Sequence, residues 1–188
     1  RAARALSVPP RAVATGPAQS SDRASGERVV LQLFRRPFLS EEATTTLARN
    51  ANAKPGVDGT IASVATEQCF NVETTEALSA DEMTTLQWLL RETFEPDLFA
   101  SSSAFADASA RVVEVGPRLA FQSAWSTNAV GVCRNCGLEK VTRLERSRRF
   151  SLTMKDGEPP SDAVKLAFAS IVHDRMTECV YDEPLATF

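Results

Sequence analysis

The run Ile61-Ala62-Ser63-Val64-Ala65-Thr66-Glu67-Gln68-Cys69-Phe70-Asn71-Val72 reads as one long strand, with Val64, Gln68, Phe70 and Val72 on a single face. A second run of this kind spans Val141 to Met154, where Phe150, Leu152 and Met154 alternate with Ser151, Thr153 and Lys155. Shorter elements fit around these two. Upstream, Val29, Leu31 and Leu33 alternate as a strand until Pro37. Ser40-Glu41-Glu42 then opens a short helix toward Asn50, its acids suited to the positive end of the helix dipole. Lys54 to Gly59 is a turn by composition. Downstream, Ser79-Ala80-Asp81-Glu82 forms a capping box. It launches a helix with the stripe Met83, Leu86, Leu89, Leu90 and Phe94, stopped by Pro96. Residues 97–110 read as a loop, and Val112, Val113 and Val115 as a short strand ended by Gly116-Pro117. Ser126 or Thr127 caps a third helix, which runs to Cys136 and ends at Gly137. Pro159-Pro160-Ser161 opens a fourth, with Val164, Ala167, Phe168 and Ile171 on one side.

The order is β-α-β-α-β-α-β-α. The helices are too few and the strands too long for a doubly wound nucleotide-binding fold. The expected class is α+β, a small sheet with helices packed on it. Two successive β-α-β-α halves point to a pseudo-duplication, although no convincing residue identity links them.

The 188 residues suffice for one domain and a short tail, and 43% hydrophobic residues suffice for a core. Residues 1–27 hold four arginines against Asp22 and Glu27, with Ala, Ser, Pro and Gly and no apolar periodicity. They read as a disordered tail or the remnant of an organelle transit peptide, with residues 28–188 as the folded domain. Arg1 in first place predicts an N-terminus already removed, and the closing Asp182 to Phe188 is compatible with a cut chain. Beyond the tail, 17 basic residues face 22 acidic ones, a poor balance for binding nucleic acid. No run approaches the ~18 apolar residues of a membrane span. Four cysteines in a chain this long do not make a disulfide framework, which favours a reducing compartment.

Signals for covalent chemistry are sparse. Cys133-Arg134-Asn135-Cys136 is a single CxxC with no second pair to complete a zinc site. It falls at a helix end, away from the dipole that would lower a thiol pKa. Ala129, Val132, Cys133 and Cys136 share one helical face, so both thiols are expected in the core. His173 is the only histidine, and no nucleophile motif accompanies it. Phosphate-binding glycine motifs are absent. Arg143, Arg146, Arg148 and Arg149 cluster around Glu145; they read as a solvated strand edge or as a patch for a phosphate or acidic surface. The segment from Glu114 to Arg118 and on through Phe121 to Asn128 runs from a Gly-Pro stop into hydroxyl and amide groups at a helix start. Such an end offers hydrogen bonds to an anion, or caps the helix and anchors Trp125.

Several of these stretches together resemble the N-terminal domain of the long single-chain phosphoribosylformylglycinamidine synthases. They are Val113 to Leu119, Ala124-Trp125-Ser126-Thr127-Asn128-Ala129-Val130, Cys136-Gly137-Leu138, Val141 to Arg146, and His173-Asp174-Arg175-Met176-Thr177-Glu178. Thr66 to Asn71 and Trp88 to Pro96 are similar to the plant-type members, and the resemblance runs from about Arg28 to Phe188. It implies an α+β domain like a dimer of the small subunit found in split versions of the enzyme. It implies an assembly role in de novo purine biosynthesis, within a carbon–nitrogen ligase that uses ATP, magnesium and glutamine. The synthetase and glutaminase domains of the same polypeptide are then the partners, beyond Phe188, and this segment binds no cofactor and does not itself catalyse. Arg118, Trp125, Ser126, Thr127 and Asn128, with His173, Asp174 and Arg175, match recurrent positions of the family. The resemblance places them at the domain interface, lining the substrate side. Ala124 stands where many relatives have proline. The plant-like match favours a plastid or mitochondrion over the cytoplasm, and a free-standing α+β interaction module is the alternative.

Overall fold

A computed structural model describes residues 28–91 and 93–188; the tail at 1–27 lies outside the described residues. The chain is α+β. Its elements are β1 (Val29–Arg35), α1 (Glu41–Asn52), β2 (Ile61–Thr74), α2 (Ala80–Leu90), β3 (Phe99–Ala100), β4 (Val112–Pro117), α3 (Ala124–Asn135), β5 (Val141–Met154), α4 (Asp162–Val172) and β6 (Glu178–Tyr181). Each helix starts at a serine, Ser40, Ser79, Ser123 or Ser161, whose hydroxyl accepts an otherwise unpaired amide three residues on. Ser79 and Glu82 complete the reciprocal capping box. None of the helices is long and apolar enough to cross a membrane, among the described residues.

The sheet runs β3-β1-β2-β5-β4-β6, with every neighbour antiparallel. The duplication expected from the element order is plain in its register. Leu33 faces Phe70 in the first half and Val113 faces Phe150 in the second, each position shifted by 80 residues. Gln68 and Arg148, related by the same shift, pair with each other across β2 and β5. A local two-fold axis therefore passes through this pair.

All four helices lie on one sheet face, and the halves exchange them. One core joins Ala48 and Ala51 of α1 to Val164, Phe168 and Ala169 of α4 over Val64, Val113 and Phe150. The other joins Leu86 of α2 to Val130 and Cys133 of α3 over Leu33, Phe70 and Leu144. Each core thus draws on both halves, and neither half buries its own apolar surface alone. Phe150 is flanked edge-on by Phe38 and Phe168, with ring centroids 5.5 and 5.4 Å away. Such pairs contribute about 0.5–1.5 kcal/mol beyond their buried area.

The opposite face is polar and still buried. Arg149 Nη1 donates to Glu67 at 2.6 Å, and its Nε lies 3.1 Å from Glu114. Ser147 donates to Glu114 at 2.5 Å, Asn71 donates to Ser147, and Gln32 donates to Asn71. Ser103 and the Ala104 amide, on the loop before β4, bond Glu67 and cover this end. Burial pushes the Glu114 carboxyl above its ordinary value, with Ser147 and Arg149 opposing the shift.

Five expectations need correction. First, α2 ends at Leu90, and Phe94, expected on its apolar stripe, is 95% exposed. Second, the loop at 97–110 contains β3 and 3-10 turns at Pro96–Leu98 and Ala106–Arg111, and β6 follows the fourth helix; these strands of two and four residues are too short to show a period. Third, α3 begins one turn early, capped by Ser123, because the Ser126 hydroxyl is used by the Leu144 amide of β5. Fourth, the arginine cluster is not one solvated edge: Arg148 and Arg149 lie between β2 and β4 and Arg149 is buried, whereas Arg143 and Arg146 lie on the part of β5 that pairs with β2 alone. Fifth, Cys133 is buried but Cys136 is exposed. Gly137, at φ +83°, turns the chain so that the Leu138 amide reaches the Cys133 carbonyl at 2.9 Å and the Leu138 side chain takes the core position.

Replacing Phe168 with Ala should lower unfolding free energy by about 3–5 kcal/mol, measured by denaturant titration. Because the Glu114 carboxyl is raised, its contribution is fully present below 4.5 and is lost as pH rises through its folded-state value. Stability should therefore decline over that window, and Glu114→Gln should flatten the decline; an unchanged slope would contradict the assignment. A maleimide reagent should label Cys136 rapidly in the folded chain and Cys133 only on unfolding.

Candidate functional site

The duplicated halves share register and helix caps, so the places where they differ in chemistry stand out. On the helix-bearing face, the axis separates the two cores with a polar strip containing Arg35, Gln68 and Arg148. In the first half Thr66 accepts the Leu39 amide; its counterpart 80 residues on is the exposed Arg146. The second residue of α1 is Glu42, and that of α3 is Trp125. The second half thus carries an indole and a guanidinium where the first carries neither.

These residues line a cleft of ≈ 280 Å³ with Gln68, Pro117, Ser123, Glu145, Arg148 and Glu178. The Arg146 guanidinium lies 4.2 Å above the Trp125 ring, which leans on Phe70 below at 6.4 Å. Arg148 Nη2 donates to both Glu178 oxygens, at 2.7 and 2.6 Å. Glu145 accepts the Ser123 amide at 2.9 Å, the Ser123 hydroxyl at 2.6 Å and Arg143 Nε at 3.2 Å. Arg143 also donates to the carbonyls of Leu119 and Phe121, which fixes the loop leading into α3.

Of the sequence-predicted residues, the cleft wall includes Trp125 alone. Arg118 sits near the rim: its guanidinium donates to the Arg175 carbonyl at 2.6 Å and its amide to the Thr177 carbonyl. Asp174 accepts from the Met176 amide at 2.8 Å and the Thr177 hydroxyl at 3.1 Å, and those bonds hold its carboxyl below the usual range. The Asp174 amide donates to Glu178, which ties this turn to Arg148 and the cleft. Ser126 is fully buried, accepting from Gln122 and Leu144. Thr127 and Asn128 are exposed, and Thr127 bonds back to the Ser123 carbonyl. His173 Nδ1 lies 2.5 Å from the Ala169 carbonyl, so the ring is turned onto its own helix. Gln68, Arg146, Arg148 and Glu178 were not singled out as one site by sequence. The signal was the period-2 placement of Arg146 and Arg148, which shows only when β5 is known to be central.

The carboxylates of the cleft are engaged by Arg148 and by Ser123 with Arg143. Burial raises the thiols of Cys69, Cys133 and Cys179, so they stay protonated near neutral pH. Among the described residues no three His, Cys, Asp or Glu side chains converge. The cleft presents the Arg146 guanidinium stacked on Trp125 next to the Arg148–Glu178 pair, chemistry suited to a partner carboxylate or carbonyl.

Residues 67–187 match the family model described as formylglycinamide ribonucleotide amidotransferase N-terminal. The chain is 44% identical over 164 residues to the "Probable phosphoribosylformylglycinamidine synthase, chloroplastic/mitochondrial" of Arabidopsis thaliana, covering 85% of this chain and 11% of that protein. It is 36% identical over 167 residues to the phosphoribosylformylglycinamidine synthase of Dictyostelium discoideum, and 40% identical over 164 residues to that of Homo sapiens. Each match covers 85% of this chain and 12% of the relative. The chain therefore spans about a tenth of these relatives' length, and by both the family model and the identities it belongs to the formylglycinamide ribonucleotide amidotransferase N-terminal family.

Proposed function

We propose that this chain is the N-terminal assembly domain of a phosphoribosylformylglycinamidine synthase, the ligase that makes formylglycinamidine ribonucleotide from formylglycinamide ribonucleotide with ATP and glutamine. The Trp125–Arg146–Arg148–Glu178 cleft faces the synthetase and glutaminase domains of the same polypeptide, and ATP with magnesium binds in those domains. The domain contributes a docking surface and no reacting group. Its site of action is a plastid or mitochondrion, in line with the name of the Arabidopsis relative.

The observation that carries this reading is the cleft itself, placed on the local two-fold axis with its charged groups already paired and a stacked Arg146 at its mouth. Tryptophan and arginine are the residues that most often dominate binding at protein interfaces. Elsewhere on the surface Trp88, Phe94 and Met176 are exposed, at 70%, 95% and 82%.

In the long polypeptide, Arg146→Ala and Trp125→Ala should each lower glutamine-dependent turnover by about 30-fold, the effect of losing ~2 kcal/mol at an interface anchor. Turnover driven by added ammonia should fall much less. Trp125 also supports the second core, so Arg146→Ala is the cleaner variant. Unchanged glutamine-dependent turnover per folded molecule in Arg146→Ala would remove the docking role.

A further inference from the structure

Sheet edges are exposed hydrogen-bonding surfaces, and proteins ordinarily cover or blunt them. Here neither outer edge is fully covered: β3 lies beside β1 only at Phe34 and Arg35, and in the second half β6 covers only part of β4. β6 pairs with β4 from Pro117 only as far as Glu114, where Tyr181 is its last partner. Val112 and Val113 continue β4 and pair with β5 on one side, with no strand among the described residues beside them on the other.

A groove of ≈ 460 Å³ lies along this bare stretch. Val113 and Val180 line it from the sheet, Leu166 and Ala169 from α4, and Lys165 and Asp182 carry charge beside them. Leu166 is 73% exposed and Val180 36%. An extended segment laid beside Val112 and Val113 would complete the ladder with main-chain bonds. Alternate side chains would then rest on the apolar wall formed by Leu166, Ala169 and Val180.

The duplication gives an internal comparison. Counting from the capping serines, Leu166 of α4 corresponds to Thr84 of α2, so the first half finishes this position with a hydroxyl. The second half finishes it with a leucine that faces solvent. The difference is specific to the half that also carries the cleft.

We propose that this groove is occupied by an extended strand from the remainder of the synthase polypeptide, which adds to the sheet beside β4. The proposal rests on the reading of the chain as one domain of a longer enzyme, and the occupant follows from the lengths involved: some nine-tenths of each relative lies outside the matched segment. The occupant presents at least one apolar side chain toward Leu166 and main-chain amides and carbonyls toward Val112 and Val113.

Hydrogen exchange followed by mass spectrometry tests this in the 188-residue chain and in the long polypeptide that contains it. Peptides covering 110–115 and 178–183 should exchange on the order of tenfold more slowly in the long polypeptide, whereas peptides from β2 and β5 should be protected in both. Leu166→Glu in the long polypeptide should return the 110–115 peptide to fast exchange and leave β2 and β5 protected. Equal rates in the two chains, fast or slow, would overturn the proposal. Protection that grows with the concentration of the 188-residue chain would assign the groove to a second copy, and would overturn it as well. The cleft reading fails separately, on the turnover of Arg146→Ala, so either can fall while the other stands.

Discussion

The pairing of β2 with β5 is the contact on which the rest of the molecule depends. It runs in register from Ser63 and Thr153 to Glu73 and Arg143, through the Gln68–Arg148 pair on the local axis. Most of the buried apolar side chains then lie in two cores that straddle this seam, each using one helix from either half. Were the seam to open, α1 would lose Phe150 and α4, and α3 would lose Phe70 and α2. Cooperative folding of the described residues as one unit follows from that exchange, because neither half holds enough apolar surface of its own to offset the entropy of ordering it.

The same seam creates the site. Two cores placed on either side of an axis leave a strip between them where the helices do not meet, and side chains there must be polar or reach solvent. Arg35, Gln68 and Arg148 fill it. In the second half the strip widens into a cleft, because Trp125 stands at the start of α3 and Arg146 rises over it. A duplicated fold thus keeps its registers and capping serines and departs from symmetry in a few side chains. The buried network of Glu67, Glu114, Arg149 and Ser147 on the opposite face has a different effect. Charges that are costly to bury unless paired fix the sheet in one register, since a slip by one residue would place them among the apolar side chains of the helical face.

Much of this was legible in the chain. The strand at Ile61 to Val72, the helix caps at Ser40, Ser79 and Ser161, the Gly137 turn and the four-helix count all follow from local rules, and the structure has them. Errors arose where a distant partner took over a local signal. Ser126 looked like a cap but spends its hydroxyl on Leu144. Cys136 looked like a core residue by helical spacing, yet Leu138 takes the inward position after the turn. The arginines of β5 looked like one exposed edge, yet Arg148 and Arg149 have β4 beside them, because no local feature says which strands lie beside a given strand.

The sequence by itself determined the α+β class, the pairing of strand with helix in two rounds, and the family, because periodicity, capping and ordered motifs are properties of neighbours along the chain. Tertiary structure alone decided the order β3-β1-β2-β5-β4-β6, the exchange of helices between halves and the meeting of Trp125, Arg146, Arg148 and Glu178. The reason is physical. Those four side chains come from α3, β5 and β6, and only the burial of apolar surface on both sides of the β2–β5 seam brings these elements within contact distance.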